Sequence, residues 1–413
     1  MMKKLIPLAL YLTLLLFSAC NKSPTDPHSG DPLPQEAVRT TIDSMWNAYL
    51  DENDLQTGGL LLYANHAGRS YQCKSNLPEN VSANSMFRAA SITKTFTASA
   101  IMLLQQDMLL DIDDFISDTM PGRSEPYVLN NANFNIPFKN QITIRMLLEH
   151  RAGVYDHTNY DIPDSVSAPY AGQNWFEYIL ESDPMHAFNI EEIISVLAGH
   201  QLYSGEPGAA YSYSNTGYML LGEIIERVSG QSYEQFVHSH LLLPNSLEST
   251  SFPLDVSHTM PSNSIPGYVY LESNAIPADV YNMSMEFGQG NLVTNAQDLL
   301  SWLLRWQTGA AGLPQSVVDQ MRHSQYPDQE YGLGTSYSPG FGYGHTGAIA
   351  GYISLMFYDP ITEYGFVLLC NVWNLRDWDT IDLEAYKLFD IAAKAKTMIT
   401  AEQPERDRPV FHR

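Results

Sequence analysis

Phe87-Arg88-Ala89-Ala90-Ser91-Ile92-Thr93-Lys94, running on as Thr95-Phe96-Thr97-Ala98-Ser99-Ala100-Ile101-Met102-Leu103-Leu104, is the stretch around which the chain is organised. No charged residue occurs from Thr95 to Gln106, and a helix neutral on every side must be buried all round. At its start a hydroxyl and an amine stand three residues apart, so on a helix they share a face. A lysine at the mouth of a buried helix is costly to desolvate unless its proton or charge is used. Ser91-x-x-Lys94 is also the only Ser-x-x-Lys in the sequence. Ser91 is therefore the candidate nucleophile.

The apolar pattern on either side supplies the frame. Residues 36–50 carry Ala37, Ile42, Met45, Trp46, Tyr49 and Leu50 at helical spacing. Gly58 to Tyr63 and Ser70 to Lys74 are strand-like runs about a turn at Asn65-His66-Ala67-Gly68, which predicts a hairpin. Beyond the Ser91 helix, residues 111–143 are rich in loops, and Thr143 to His150 reads as a short helix closed by Gly153. Residues 155–190 mix Tyr, Asp, Pro and Trp without a clear period, and a long ordered loop or lid is expected there. Helices are predicted at Ile190 to Ala198, Thr216 to Ser229 and Phe236 to Leu243, followed by a polar, Pro-rich stretch over 244–285. The Thr294 hydroxyl, with Gln297, suits a capping box for the helix through Leu299 to Leu304.

From Gly340 the period changes to two. His345 to Tyr358 and Tyr364 to Asn371 read as two strands joined at Asp359-Pro360, and Asp379 to Lys396 as a terminal helix. Strands at both ends with helices between predict an α+β fold. Its sheet is mixed, mainly antiparallel and flanked by helices, built from residues 37–90 and about 285–396, with an all-helical lobe from about 91–284. No internal repeat is visible.

The chain has 413 residues, with 46 acidic against 22 basic side chains and a formal charge of −24. That balance argues against nucleic acid, which needs clustered Lys and Arg, and against adhesion to anionic lipid by charge alone. At the N-terminus Lys3 and Lys4 precede the apolar run Leu5 to Phe17, which ends in Phe17-Ser18-Ala19-Cys20. This is too short for a comfortable bilayer span and suits an export signal over residues 1–19. It resembles a bacterial lipoprotein signal, in which Cys20 would become the lipidated first residue and anchor the exported chain in the cell envelope. Ordinary secretion, with cleavage near Ala19, is the alternative. Residues 20–36 read as a flexible tether rich in Pro, Ser, Asp and Gly, and 397–413 as a polar tail. Cys73 and Cys370 do not make a disulfide framework, and two separate thiols are expected.

A serine hydroxyl needs a base within hydrogen-bond reach. A lysine one helical turn on serves if burial leaves it neutral. The helix N-terminus adds a dipole that favours developing negative charge, and the serine N–H can form half of an oxyanion hole. Ser-x-x-Lys alone could equally be a chance match on an exposed helix. Two further segments strengthen it. Tyr211-Ser212-Tyr213-Ser214-Asn215 precedes a helix in a hydroxyl-rich loop, a good place for a reactive phenol. Tyr63-Ala64-Asn65 shares the Tyr-x-Asn pattern but lies on a predicted strand, where core packing explains it. His345-Thr346-Gly347 opens the penultimate strand, and Gly347 and Gly351 would let a substrate backbone lie close along it.

The order Ser-x-x-Lys, Tyr-x-Asn, His-Thr-Gly resembles the serine β-lactamase and penicillin-binding family: class C β-lactamases, D-alanyl-D-alanine carboxypeptidases, D-aminopeptidases and their esterase relatives. Met146 to Gly153, Gly290 to Thr294 and His345 to Tyr352 are similar to flanking stretches of that family, and the resemblance covers about residues 37–396. It implies that Ser91 is acylated, with Lys94 and Tyr213 sharing the proton transfers and no cofactor or metal. Asn215 would orient the Lys94 amine and bond the substrate amide. The oxyanion would lie between the N–H groups of Ser91 and Ala348, on the strand that carries His345, Thr346 and Gly347. His345 stands where many relatives have lysine, so recognition of a substrate carboxylate is expected to need a protonated histidine, with an ordinary pKa near ~6.5. Arg151 and Arg305 are the nearest candidate carboxylate partners, with structural roles as the plainer reading.

Competing motifs fail. There is no Gly-x-Ser-x-Gly. His238-Ser239-His240 lacks the acid and third histidine of a metal site, and Gly342 to Gly347 matches Gly-x-Gly-x-x-Gly but leads into a strand, not a helix. His157 beside Asp156 reads as a loop residue. The expected activity is a D-alanyl-D-alanine carboxypeptidase-like hydrolysis of a small D-amino-acid peptide of the cell-wall type. An esterase or class C-like β-lactamase is the first alternative, and a low-turnover penicillin-binding or sensing protein the second.

Overall fold

The computed structural model describes residues 35–271, 274–326, 329–376 and 378–401. The export signal, Cys20, nearly all of the tether and the tail beyond Ala401 lie outside the described residues. Helix α1 (Gln35–Glu52) leads into the hairpin β1 (Leu60–His66) and β2 (Arg69–Ser75), and β3 (Met86–Ala90) into α2 (Thr93–Gln106). The middle of the chain supplies α3 (Ile144–Leu148), α4 (Trp175–Ser182), α5 (Ile190–His200), α6 (Asn215–Ser229) and α7 (Tyr233–Val237). Four short strands follow: β4 (His258–Thr259), β5 (Tyr268–Leu271), β6 (Asn274–Pro277) and β7 (Val280–Tyr281). Then come β8 (Leu292–Asn295), α8 (Ala296–Gln307), α9 (Gln315–Met321) and β9 (Ser336–Ser338). β10 (Gly342–Ile349), β11 (Tyr352–Asp359), β12 (Tyr364–Cys370), β13 (Val372–Asn374) and α10 (Trp378–Ala401) end the described chain.

The two ends of the chain share one sheet, in the order β2-β1-β12-β11-β10-β9 and antiparallel throughout. Its register joins Leu60 to Cys370 and Asn65 to Gly365. Leu60, Leu62, Phe366 and Leu368 turn toward α1 and α10, packing with Ile42, Trp46, Leu388 and Ile391. Leu61, Val367 and Leu369 turn the other way, into the core that Trp302 and Leu303 of α8 share with the helical lobe. Both faces are covered, so β1 and β12 are apolar without interruption. Helix α2 lies inside that larger core, with Phe96 stacked on Trp302 at 4.1 Å between ring centroids. Its hydroxyls are satisfied, as burial demands: Trp302 Nε1 donates to Thr95 Oγ1 at 3.1 Å, and Thr97 Oγ1 meets Tyr233 Oη at 2.7 Å. The α+β architecture is the one the sequence predicts.

Several local expectations change. His345 to Tyr358 is two strands, because the chain reverses at Ala350-Gly351 and pairs Ile349 with Tyr352; Gly351 takes the left-handed φ of +88° that the turn needs. The cap of α8 is Asn295, which accepts from Asp298 N at 2.8 Å, whereas the Thr294 hydroxyl is bonded to Thr250 within the core. The 155–190 segment is not wholly loop: Asn174 caps α4, which buries Trp175 and Phe176. The stretch 244–285 contains β4 to β7, with β5 and β6 extending a small sheet led by β13. Cys73 and Cys370 are separate buried thiols on strands either side of β1.

Candidate active site

Ser91 stands on the corner between β3 and α2. The pairing of β3 with β8 shifts between Arg88 and Ala90, and Ala90 takes a left-handed φ of +50°. For a residue with a Cβ that conformation costs about 1–3 kcal/mol and is kept only where the surroundings enforce it. Here they do: Thr93 Oγ1 donates to Ala90 O at 2.7 Å and accepts from Leu292 N at 3.0 Å. Ser91 is half-buried between the buried Ala90 and Ile92, so it is the partly exposed point of the corner.

Lys94, one turn on, has no exposed surface. Its Nζ lies 2.7 Å from Asn215 Oδ1, 2.9 Å from Gln289 O and 3.1 Å from Ser91 Oγ. Burial pushes its pKa down to about 7, against the opposing pull of the Asp156 and Glu286 carboxyls. A neutral amine has two N–H donors and one lone pair. Asn215 Oδ1 and the Gln289 main-chain carbonyl can only accept and are nearer than the Gln289 side-chain oxygen at 3.4 Å, so in the neutral form they take the two donors. The lone pair is left facing the Ser91 hydroxyl.

Asn215 opens α6, and its amide orientation is fixed from behind. Asp156, buried, accepts from Thr158 Oγ1 at 2.6 Å, Asn159 Nδ2 at 2.8 Å and Asn215 N at 3.0 Å. Having spent its proton on Asp156, the Thr158 hydroxyl accepts from Asn215 Nδ2 at 2.8 Å. Asn215 must then present its oxygen to Lys94. On the other side Gln289 Nε2 donates to Glu286, which also accepts from Tyr281 Oη at 2.9 Å.

Tyr213 stands beside this pair, close enough to Ser91 for that residue to favour its phenolate, and its ring lies 4.9 Å from the Lys94 Nζ. Burial raises its pKa well above the ordinary value, so the phenol keeps its proton at neutral pH. His150, Tyr218 and Tyr331 surround this corner, the His150 ring 4.1 Å from that of Tyr213.

β10 forms the remaining wall. A Cβ on Gly347 would stand 2.1 Å from Ala89 O, so glycine is what lets β10 lie against the end of β3. The open side of Gly347 is thus filled by this chain's own backbone and not by a substrate. Gly347→Val is expected to cut Ser91 acylation more than ~10-fold and to lower stability by ~1–3 kcal/mol, the usual cost of overpacking. Stopped-flow acylation and thermal unfolding check it.

His345 does not fit the expectation of a protonated anion receptor. It is 2 % exposed, its Nδ1–H donates to Thr346 O at 2.6 Å, and its Nε2 accepts from Tyr331 Oη at 2.9 Å. Burial and the Lys94 amine push its pKa down to about 3, so it is neutral across the physiological range. Thr346 and Ala348 are half-buried beside it. Arg151 lies over the Tyr326 ring at 4.0 Å and donates to Gln329, while Arg305 donates to Asn245 Oδ1 at 2.7 Å and Ala310 O at 3.1 Å. Both have structural work. His157 is a fully buried core residue stacked on Phe176 at 5.2 Å, and His240 stacks on Phe236 at the end of its helix.

Asp156, Thr158, Gln289, Glu286, His150 and Tyr331 escape sequence reading. Only the place of His150 inside the family-like stretch Met146 to Gly153, and the nearness of Asp156 to that stretch, could have pointed to them.

The family model described as Beta-lactamase matches residues 42–386. Penicillin-binding protein 4* of Bacillus subtilis (strain 168) is 29% identical over 238 residues, 57% of this chain and 44% of that protein. The chain spans about half the length of the curated relatives it matches. Among solved structures, a D-stereospecific amidohydrolase from Streptomyces sp. superposes with a TM-score of 0.66 at 24% identity, covering 86% of this chain and 98% of that one. A D-amino acid amidase from Ochrobactrum anthropi SV3, complexed with L-phenylalanine, gives 0.67 at 21% identity, covering 88% and 98%. At these identities the likeness is one of fold.

Proposed function

The chain belongs to the β-lactamase family and is built as a serine hydrolase of that type, and from that premise we propose that it hydrolyses amides and peptides of D-amino acids through an acyl-enzyme on Ser91. The observation that carries this reading is the buried Lys94 Nζ, 3.1 Å from Ser91 Oγ, with Asn215 Oδ1 at 2.7 Å and Gln289 O at 2.9 Å to accept the two N–H groups of its neutral form. Lys94 takes the hydroxyl proton as Ser91 Oγ attacks the substrate carbonyl carbon. The oxyanion that forms is stabilised by the Ser91 and Ala348 N–H groups. Tyr213 gives its proton to the departing amine as the C–N bond breaks, and is reprotonated from Lys94. Water then enters by the same steps in reverse, releasing the acid and restoring Ser91. The two pKa values are driven apart, base low and acid high, as such a division requires.

A substrate without a terminal carboxylate suits the wall better than a carboxypeptidase substrate does, since His345 is neutral and Arg151 is engaged elsewhere. The D-amino-acid choice draws on the two proteins of like fold, a D-stereospecific amidohydrolase and a D-amino acid amidase. A panel of D-amino-acid amides, D-Ala-D-Ala peptides, p-nitrophenyl esters and nitrocefin tests it. Amide and dipeptide cleavage is expected to lead. Fast ester or nitrocefin turnover with no amide cleavage would replace it with an esterase or β-lactamase reading.

The pH dependence follows in sign. His345 has lost its charge by about pH 3, so no fall in activity is expected as pH rises through ~6.5, even on carboxylate-bearing substrates. A His345→Gln variant is expected to keep the wild-type profile from pH 5 to 8, measured as kcat/KM. A profile whose inflection near 6.5 vanishes in that variant would restore the charged histidine.

A further inference from the structure

We infer that His150 is a positioning residue that clasps the loop carrying Tyr213 and aims the phenol at the reacting atoms. This rests on the reading of Tyr213 as the proton donor.

Residues 148–154 form a template on which the loop 203–214 is laid. Ser204 N donates to Gly153 O at 2.9 Å, Gly208 N to Arg151 O at 2.8 Å and Ser212 N to His150 O at 2.8 Å. The last rung differs in kind: Ser214 N donates at 3.0 Å not to a carbonyl but to the His150 side chain, at Nδ1. His150 therefore holds Tyr213 on both sides, through its carbonyl to residue 212 and its imidazole to residue 214. Its ring also lies under the phenol, with centroids 4.1 Å apart and planes at 34°.

Three features show that this placement is enforced. His150 has a left-handed φ of +55°, where a residue with a Cβ is strained. It is 2 % exposed. Accepting at Nδ1 requires the neutral tautomer with the proton on Nε2, and that buried Nε2 finds no partner among the described residues, so one N–H is left unsatisfied to secure the other contact. Burial, with Lys94 and His345 as neighbours, keeps the ring from taking a second proton.

A group that aims a proton donor matters most where the leaving group needs the proton. The test compares a D-amino-acid anilide with the matching p-nitrophenyl ester in wild type, His150→Phe, His150→Asn and Tyr213→Phe. Phenylalanine keeps a ring and loses the acceptor; asparagine tolerates φ > 0 and offers an amide oxygen near the place of Nδ1. His150→Phe is expected to lose kcat on the anilide at least ~10-fold more than on the ester, with KM little changed, and His150→Asn to recover to within ~3-fold of wild type. Folded variants with the wild-type anilide-to-ester ratio, beside a Tyr213→Phe that shows the effect, would overturn the clasp alone. A Tyr213→Phe without the effect would instead overturn the proton-donor reading. Nitrogen-15 NMR of the wild-type protein at neutral pH decides the matter independently of how the variants fold. A His150 Nδ1 that is unprotonated is expected, and an Nδ1–H tautomer or an imidazolium would refute the clasp.

Discussion

Lys94→Ala is expected to slow acylation of Ser91 by ~10³-fold or more, the upper part of the range that a positioned general base supplies. No other described group is placed to take the proton. Asn215 Oδ1 and the Gln289 carbonyl are too weakly basic, and Tyr213 keeps its own proton. Lys94→Arg is expected to fare no better, because a guanidinium does not give up its proton in a protein. A lysine that served only as a fixed positive charge would be largely replaced by that arginine. In wild type, kcat/KM is expected to rise about tenfold per pH unit up to pH 7 and then level off, since only the neutral amine accepts a proton. Single-turnover acylation across that range measures both effects.

Tyr213→Phe is the second large effect, expected at ~10²–10³-fold for amide substrates. The phenol holds its proton because burial disfavours the phenolate. Its loss removes the donor for a departing amine, whereas a nitrophenolate leaves unaided. Ester cleavage is therefore expected to fall less than tenfold. Equal losses on both substrates would show that Tyr213 only shapes the pocket.

Ser91 and Lys94 are legible in the sequence because their relation is local: one helical turn sets it whatever the tertiary fold. Asn215 is legible as a residue but not as an oriented one. Its amide is turned by Thr158 and Asp156, 57 and 59 positions away, through hydrogen bonds that no periodicity records. The charge of His345 is read wrongly for a related reason. An imidazole's ordinary pKa belongs to water, and only the folded chain shows that Tyr331 and the Thr346 carbonyl close both nitrogens inside the core.

The fold shows the same division. Strands β1 and β12 and helix α2 announce themselves through long apolar runs. The β10–β11 reversal is missed because two residues, Ala350 and Gly351, suffice for it. The short strands over 258–281 span two to four residues each, too few to show a period. At α8 the reading misses by one position, since the Thr294 hydroxyl is already used by Thr250 and Asn295 is left to cap.

Intact-mass analysis after treatment with a fluorophosphonate or a penicillin tests the central claim most directly. A single adduct is expected, mapping by peptide sequencing to Ser91 and absent from Ser91→Ala. No adduct, or an adduct that survives in Ser91→Ala, would contradict the acyl-enzyme account.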